Sequence, residues 1–176
     1  MRTTTCIAAA LALLLLYACR LSAQEVPEEL RTGYGPLDER LARMVTVDSL
    51  SLSPAQAREM RNAVYLDARE PEEYAVSHLP QALSLGYDRP DYSILDDMDR
   101  NTPLVVYCTV GYRSERMVKE LKSRGFSQVY NLYGSIYAWI LAGNPVYDEN
   151  GVTDNLHTYN RKWGTYFPDN RVHKVY

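Results

Sequence analysis

Short apolar runs alternate with segments of helical periodicity along this chain of 176 residues, and this alternation constrains the fold more than any other feature. A run of about four to eight apolar residues between turn residues is typical of a buried strand. Strands that alternate with helices form a parallel sheet that is covered on both faces. We therefore predict an α/β fold with strands at residues 64–67, 82–85, 104–107 and 128–132.

Helical segments are predicted before, between and after these strands. Ser53 followed by Pro54 is typical of a helix start, because serine caps the first turn and proline fits the first helical position. Gly125 and Gly143 stand where helices end. We expect helices at residues 37–47, from 54 to about 61, from 71 onward, at 113–124, and from a cap at Ser135 to Gly143.

The N-terminal segment, residues 1–23, has the pattern of a secretory signal peptide. Ile7 to Tyr17 is almost entirely alanine and leucine, too short to span a bilayer comfortably, so we expect no transmembrane segment. We expect cleavage after Ala23, which would give a soluble periplasmic protein. The alternative is a membrane-anchored lipoprotein, because Leu16-Tyr17-Ala18-Cys19 resembles a lipobox in which Cys19 would carry the lipid.

Charge and cysteine usage limit the classes of partner and site. The formal net charge of −3 gives no reason to expect nucleic acid as a partner. Of the three cysteines, Cys6 and Cys19 fall in the signal region, which leaves Cys108 in the mature body. A lone cysteine in an exported chain indicates either an intermolecular bridge or a reactive thiol, and we expect no metal site.

Cys108 directly follows the apolar run 104–107 and precedes a predicted helix. Backbone N–H groups at a helix N-terminus stabilise an anion, so a thiol placed there has a lowered pKa. Gly111 permits a tight backbone turn, and Arg113 adds a positive charge. We therefore predict Cys108 as a nucleophile; the alternative is a buried and inert structural cysteine.

Three segments in this order resemble those of a single-domain rhodanese, a sulfurtransferase of the exported bacterial type. They are residues 66–74 with 78–82, residues 105–114, and residues 131–139 with 143–146. The resemblance covers roughly residues 45–152. It implies a five-stranded parallel sheet flanked by helices on both faces, and a persulfide intermediate on Cys108 without a metal or organic cofactor.

The resemblance also assigns roles to neighbouring residues. The loop residues that would bind the substrate and the persulfide are Thr109, Val110, Gly111, Tyr112 and Arg113. Asp67 and Arg69 resemble the family's Asp-x-Arg pair and are expected to brace the loop as an ion pair; the alternative is a direct substrate role for Arg69. Ser114 offers a supporting hydroxyl. The chain departs from the family at Ser77, Gln81 and Ser135, where glycine is common, and this affects the expected shape of local loops.

Four regions follow from these features. They are a signal peptide at 1–23, a linker at 24–36, a rhodanese-like domain at 37–152 with its N-terminal helix, and an aromatic extension at 153–176. The extension is expected to pack across the domain; the alternative is a lid or partner surface near the active site. His157 and His173 make too small a set to predict a metal site.

The predicted function is transfer of sulfane sulfur from a small donor, thiosulfate or a persulfide, to a thiophilic acceptor such as cyanide or a thiol. A phosphatase or arsenate reductase of the same fold is one alternative. The four residues between Cys108 and Arg113 favour sulfur, because the loop of the related phosphatases has one more residue. A non-catalytic binding module is a third possibility, which the presence of Cys108 disfavours.

Overall fold

The computed structural model describes residues 24–168 and 170–176. The predicted signal peptide, residues 1–23, and the alternative lipid anchor at Cys19 lie outside these residues. Within the described ranges, no helix is both long and apolar enough to cross a membrane.

A five-stranded parallel sheet forms the centre of the protein, as predicted. Its strands are β1 (Ser51–Leu52), β2 (Val64–Asp67), β3 (Leu83–Ser84), β4 (Leu104–Tyr107) and β5 (Val129–Leu132). They lie in the order β1-β5-β4-β2-β3, so β4 is the middle strand. A parallel sheet leaves the carboxyl ends of its strands at one edge, and β4 therefore delivers Cys108 to the centre of that edge.

Helices cover both faces of the sheet, as predicted. They are α1 (Gly35–Leu41), α2 (Pro54–Glu59), α3 (Pro71–Val76), α4 (Tyr112–Ser123) and α5 (Ser135–Leu141), followed by the short α6 (Arg161–Gly164). Successive side chains of a strand point to opposite faces. Accordingly, Leu104 and Val106 of β4 pack with α4, whereas Val105 and Tyr107 pack in a second cluster with α1 and α5.

The segment 24–36, predicted to be a linker, instead packs on the domain. Leu30, in a 3-10 turn at Glu28–Leu30, is buried in the same cluster as α1 and α5. The side-chain oxygen of Gln24 accepts a hydrogen bond of 2.9 Å from the N–H of Val47. The difference arises because Val26, Leu30 and Tyr34 of this segment all pack against that cluster, and burial of apolar surface stabilises the packed arrangement.

The first helix is shorter than the predicted 37–47. It ends at Leu41, and the N–H groups that follow bond in tighter turns, with Met44 donating to the carbonyl of Leu41. The apolar residues Met44 and Val45 still face inward, but from a turn. This turn brings Val45 against the backbone of Gly111 in the loop after β4.

Residues beyond the sheet fold back over the domain. The strands β6 (Val146–Asp148) and β7 (Gly151–Thr153) form an antiparallel pair, and β8 (Asn155–His157) pairs in parallel with β9 (His173–Val175). Leu156 and Phe167 of the extension are fully buried, and the Phe167 ring lies edge-on to that of Tyr137 at 4.9 Å. The extension is therefore part of the packed core.

Candidate active site

The loop between β4 and α4 forms the candidate active site. All four residues of β4 are buried, so the strand fixes the position of Cys108, which follows it directly. Gly111 has a φ of 115°, in the region that favours glycine. This conformation turns the loop back, so that the N–H of Gly111 donates to Sγ of Cys108 at 3.2 Å.

Two serine hydroxyls complete the surroundings of the sulfur. Oγ of Ser114 lies 3.6 Å from Sγ, and Oγ of Ser135 lies 3.9 Å from it. The Ser114 hydroxyl also lies 2.7 Å from Oδ1 of Asn131, and with one hydrogen it donates to one partner at a time. Ser135 was predicted only as a helix cap; the N-cap is Gly134, and the Ser135 hydroxyl instead accepts from the N–H of Cys108.

The thiol of Cys108 is 1% exposed, and its pKa reflects competing effects. Burial alone raises the pKa of this thiol. The positive charge of Arg113 and the hydrogen bonds from Ser114 and Gly111 outweigh burial, and the pKa of Cys108 lies below its ordinary value. The loop therefore favours the thiolate, which is the nucleophilic form.

Arg113 binds a carboxylate that the sequence interpretation missed. Its Nη1 and Nη2 donate to the two oxygens of Glu73 at 2.6 and 2.8 Å, and Nη2 also donates to the Thr109 hydroxyl at 3.0 Å. Burial raises the pKa of Glu73, but the hydrogen bonds and charge of Arg113 bring it below its ordinary value. Glu73 is thus ionised and offsets much of the charge that Arg113 was predicted to offer.

Asp67 and Arg69 form the predicted ion pair beneath the site. Both side chains are fully buried, and Nη2 of Arg69 lies 2.6 Å from Oδ2 of Asp67. Arg69 also donates to the carbonyl of Ser77, which links β2 to the end of α3. Because Arg69 is fully buried and absent from the lining of the cavity above Cys108, this geometry agrees with bracing rather than with direct substrate contact.

A cavity of about 320 Å³ opens above Cys108. Of the predicted loop residues, Thr109, Val110, Tyr112 and Arg113 line it, whereas Gly111 contributes its backbone behind the sulfur. The other lining residues were not predicted; they include Arg116 of α4, and Met44, Glu70, Tyr87 and Asp88 from other parts of the chain. The last four come from segments distant in sequence from Cys108, which a local pattern does not connect.

The extension also reaches this cavity. Tyr159 and Trp163 are among its lining residues, and the guanidinium carbon of Arg113 lies 5.2 Å from the centre of the Tyr159 ring. The interpretation of the extension as a segment packed across the domain is thus incomplete, because the same segment also borders the site.

His157 lies behind the loop. Its Nδ1 accepts from the N–H of Tyr159 at 3.1 Å and lies 3.9 Å from a carboxylate oxygen of Glu73. Burial is the main cause that lowers the pKa of His157. Among the residues that the structure describes, no three His, Cys, Asp or Glu side chains are grouped so as to hold a metal ion.

Alkylation of Cys108 by iodoacetamide is expected to reach half its maximal rate below a pH of about 8.5, the ordinary pKa of a free thiol. The direction follows from the lowered pKa of Cys108. Replacing Arg113 by methionine together with Glu73→Gln removes the cation that lowers the pKa of Cys108 and, with it, the carboxylate that would otherwise be left buried and unpaired. The midpoint should therefore move to higher pH. The measurement is the alkylation rate against pH, followed by mass spectrometry.

Arg116→Met is the matched control for this experiment. Arg116 lines the same cavity, but it is exposed to solvent and donates to the hydroxyl of Tyr87 at 3.0 Å. Water screens an exposed charge, so the midpoint for Cys108 should stay where it is in the native protein. A native midpoint at or above about 8.5 would contradict the prediction.

Comparisons with known proteins agree on one family. The model of the rhodanese-like domain family matches residues 53–142. The thiosulfate sulfurtransferase GlpE of Stutzerimonas stutzeri is 36% identical over 95 residues, which are 52% of this chain and 85% of that protein. A sulfurtransferase of Allochromatium vinosum is 32% identical over 108 residues, which are 60% of this chain and 96% of that protein.

Solved structures show the same fold. A protein of Bacillus halodurans superimposes with a TM-score of 0.52 at 19% identity, over 58% of this chain and 80% of that one. A thiosulfate sulfurtransferase of Pseudomonas aeruginosa gives 0.51 at 23% identity, over 68% of this chain and 23% of that one. The prediction of a rhodanese-like fold is confirmed, and the chain belongs to the rhodanese-like domain family.

Proposed function

We propose that the protein is a rhodanese-type sulfurtransferase in which Cys108 accepts a sulfane sulfur and passes it to a thiophilic acceptor. The observation that supports this most is the sulfur of Cys108 at a cavity of about 320 Å³, with an N–H donor at 3.2 Å and a lowered pKa. Relatives named thiosulfate sulfurtransferases, 36% and 33% identical, support sulfur transfer in general.

In the first half-reaction, the thiolate of Cys108 attacks the outer sulfur of the donor. With thiosulfate, a new S–S bond forms to Sγ, the original S–S bond breaks, and its electron pair leaves with sulfite. The total charge is unchanged, because a thiolate becomes a persulfide anion. This charge lies mainly on the transferred, outer sulfur. The N–H of Gly111 and the hydroxyls of Ser114 and Ser135 are the donors nearest to Sγ, which carries the charge before transfer and becomes the inner sulfur after it.

In the second half-reaction, the acceptor attacks the outer sulfur of the persulfide. Cyanide becomes thiocyanate, or a thiol becomes a persulfide, and the electron pair of the broken S–S bond returns to Sγ of Cys108. This sequence is a ping-pong reaction through a covalent intermediate. It uses neither a metal nor an organic cofactor.

The pairing of Arg113 argues against the phosphatase alternative. Binding of a phosphate by arginine uses the two parallel N–H donors of the guanidinium group. Here each terminal nitrogen of Arg113 already donates one N–H to Glu73, and Nη2 also donates to Thr109, which leaves fewer donors of this guanidinium group for a phosphate. The loop of four residues between Cys108 and Arg113 agrees with this reasoning. The lowered pKa of Cys108 likewise argues for a reactive thiol rather than a silent binding module.

Incubation with thiosulfate is expected to add one sulfur atom to the protein, and cyanide should then remove it as thiocyanate. Mass spectrometry of the intact protein measures the first step, and colorimetric detection of thiocyanate measures the second. The same pair of measurements is made with an organic persulfide as donor. Absence of both sulfur gain and thiocyanate with every donor would refute the proposal, and hydrolysis of an aryl phosphate would support the phosphatase alternative.

A further inference from the structure

Aromatic side chains from outside the family-matched residues form one wall of the cavity above Cys108. The family match ends at residue 142, whereas Tyr159 and Trp163 belong to the extension and line the cavity. Tyr87 and Tyr112 are the other aromatic lining residues. Four aromatic rings therefore line the cavity above Cys108. Two of them belong to the C-terminal extension, which contributes no strand to the five-stranded sheet.

Buried contacts and hydrogen bonds fix the segment that carries Tyr159 and Trp163 to the domain. Two residues that flank it in sequence, Leu156 and Phe167, are fully buried. The Tyr137 hydroxyl of α5 donates to the backbone carbonyl of Trp163 at 3.2 Å. Because β8 also pairs with β9, the segment that carries both rings is fixed at each end.

Tyr159 is placed in an unusual way for an exposed residue. Its φ is 65°, a left-handed conformation that is uncommon for a bulky residue, and its side chain is 52% exposed. Because about half of Tyr159 is exposed, burial of its ring does not offset the free-energy cost of the left-handed backbone. Strained residues of this kind gather at functional sites, and here the ring lies beside Arg113 at the cavity.

The charges around the cavity do not favour a small dianion. Two arginines and two carboxylates line it, Arg113 and Arg116 with Glu70 and Asp88. The buried carboxylate of Glu73 in addition pairs with Arg113, so the carboxylates outnumber the guanidinium groups. A site with this balance and four aromatic rings favours a donor that has an apolar group and less negative charge than thiosulfate.

We propose that Tyr159 and Trp163 are specificity-determining residues, which select a sulfane-sulfur donor that carries an aromatic organic group. The inference rests on the proposed sulfur transfer at Cys108. With an arenethiosulfonate, the Sγ thiolate bonds to the sulfane sulfur, the bond from that sulfur to the sulfonyl sulfur breaks, and the electron pair leaves with the sulfinate. Atoms and charge balance, and no oxidant or reductant is consumed.

The test compares two donors with the same reacting group, benzenethiosulfonate and methanethiosulfonate, with cyanide as acceptor. The quantity of interest is the ratio of their kcat/KM values in each variant, since the ratio within one protein divides out general damage. Tyr159→Ala should lower this ratio about three- to tenfold, the range expected for loss of one aromatic contact. Tyr159→Phe, which keeps the ring, should retain it.

Val152→Ala is the matched control, because Val152 is also a strongly exposed hydrophobic residue of the same chain end and lies away from the cavity. Its ratio should equal that of the native protein. An unchanged ratio in Tyr159→Ala, with sulfur transfer intact, would overturn the inference and leave the proposed function standing.

A binding assay that needs no turnover tests donor selection by Tyr159 and Trp163 separately from sulfur transfer at Cys108. In the Cys108→Ser background, benzenesulfinate binding is followed through the fluorescence of Trp163, with Trp163→Phe to assign the signal. Adding Tyr159→Ala should weaken the affinity for benzenesulfinate several-fold relative to methanesulfinate. Equal affinities with and without Tyr159 would refute the inference even if no donor is turned over.

Discussion

Cys108→Ser is expected to lower sulfur transfer from thiosulfate to cyanide about a thousandfold or more, as for loss of other covalent nucleophiles. The serine hydroxyl has nearly the size of the thiol, so the N–H of Gly111 keeps an acceptor in front of it. A hydroxyl is not ionised near neutral pH and forms no persulfide. The measurement is the rate of thiocyanate formation, with intact mass as a second readout that should show no added sulfur.

Two comparisons show that the expected loss is chemical. Cys108→Ala should lose activity to the same extent. Cys108→Ser should alter the urea midpoint only by a small amount, because the serine oxygen still accepts from the N–H of Gly111. Ser135→Ala, which removes a hydroxyl 3.9 Å from Sγ, should retain measurable transfer. More than a tenth of the native rate in Cys108→Ser would contradict the role of Cys108 as the nucleophile.

The sheet and the active-site loop were predictable because their signals are local. The apolar run 104–107 predicts β4, and the turn that follows places Cys108 at the carboxyl edge. Gly111 adopts the positive φ that its position in a tight loop suggested. At two positions where the resemblance led us to expect glycine, Gln81 and Ser135 adopt a left-handed backbone, with φ values of 55° and 51°. Both positions therefore have the positive φ that glycine favours, although neither residue is glycine.

Contacts between distant segments were not predictable from one sequence. Glu73 lies 40 residues from Arg113, and its place in an acidic first turn suggested only a favourable interaction with the helix dipole. Tyr159 and Trp163 were recognised as part of an aromatic segment, but composition does not say which surface such a segment covers. The packed turn at Leu30 was missed because the prolines and glycines of the segment, Pro27, Gly33, Gly35 and Pro36, indicated a linker.

Asp67→Ala is expected to lower the free energy of unfolding by about 3–5 kcal/mol, the range measured when one partner of a buried ion pair is removed. Arg69 is fully buried, and its guanidinium group would keep only the carbonyl of Ser77 as a hydrogen-bond acceptor. Burial disfavours the charged form, and the charge of Asp67 and its hydrogen bonds keep the pKa of Arg69 above its ordinary value. Urea unfolding followed by circular dichroism measures the loss.

Two variants distinguish an unpaired buried charge from a general effect of removing a carboxylate. Glu120→Ala breaks the exposed pair with Arg124 on α4, whose side chains are 45% and 43% exposed, and should cost about 0.5 kcal/mol or less. The double change Asp67→Ala with Arg69→Met removes the stranded charge as well, and should recover part of the lost stability. If Asp67→Ala costs no more than Glu120→Ala, the pair does not brace the loop, and Arg69 must be solvated or paired in another way.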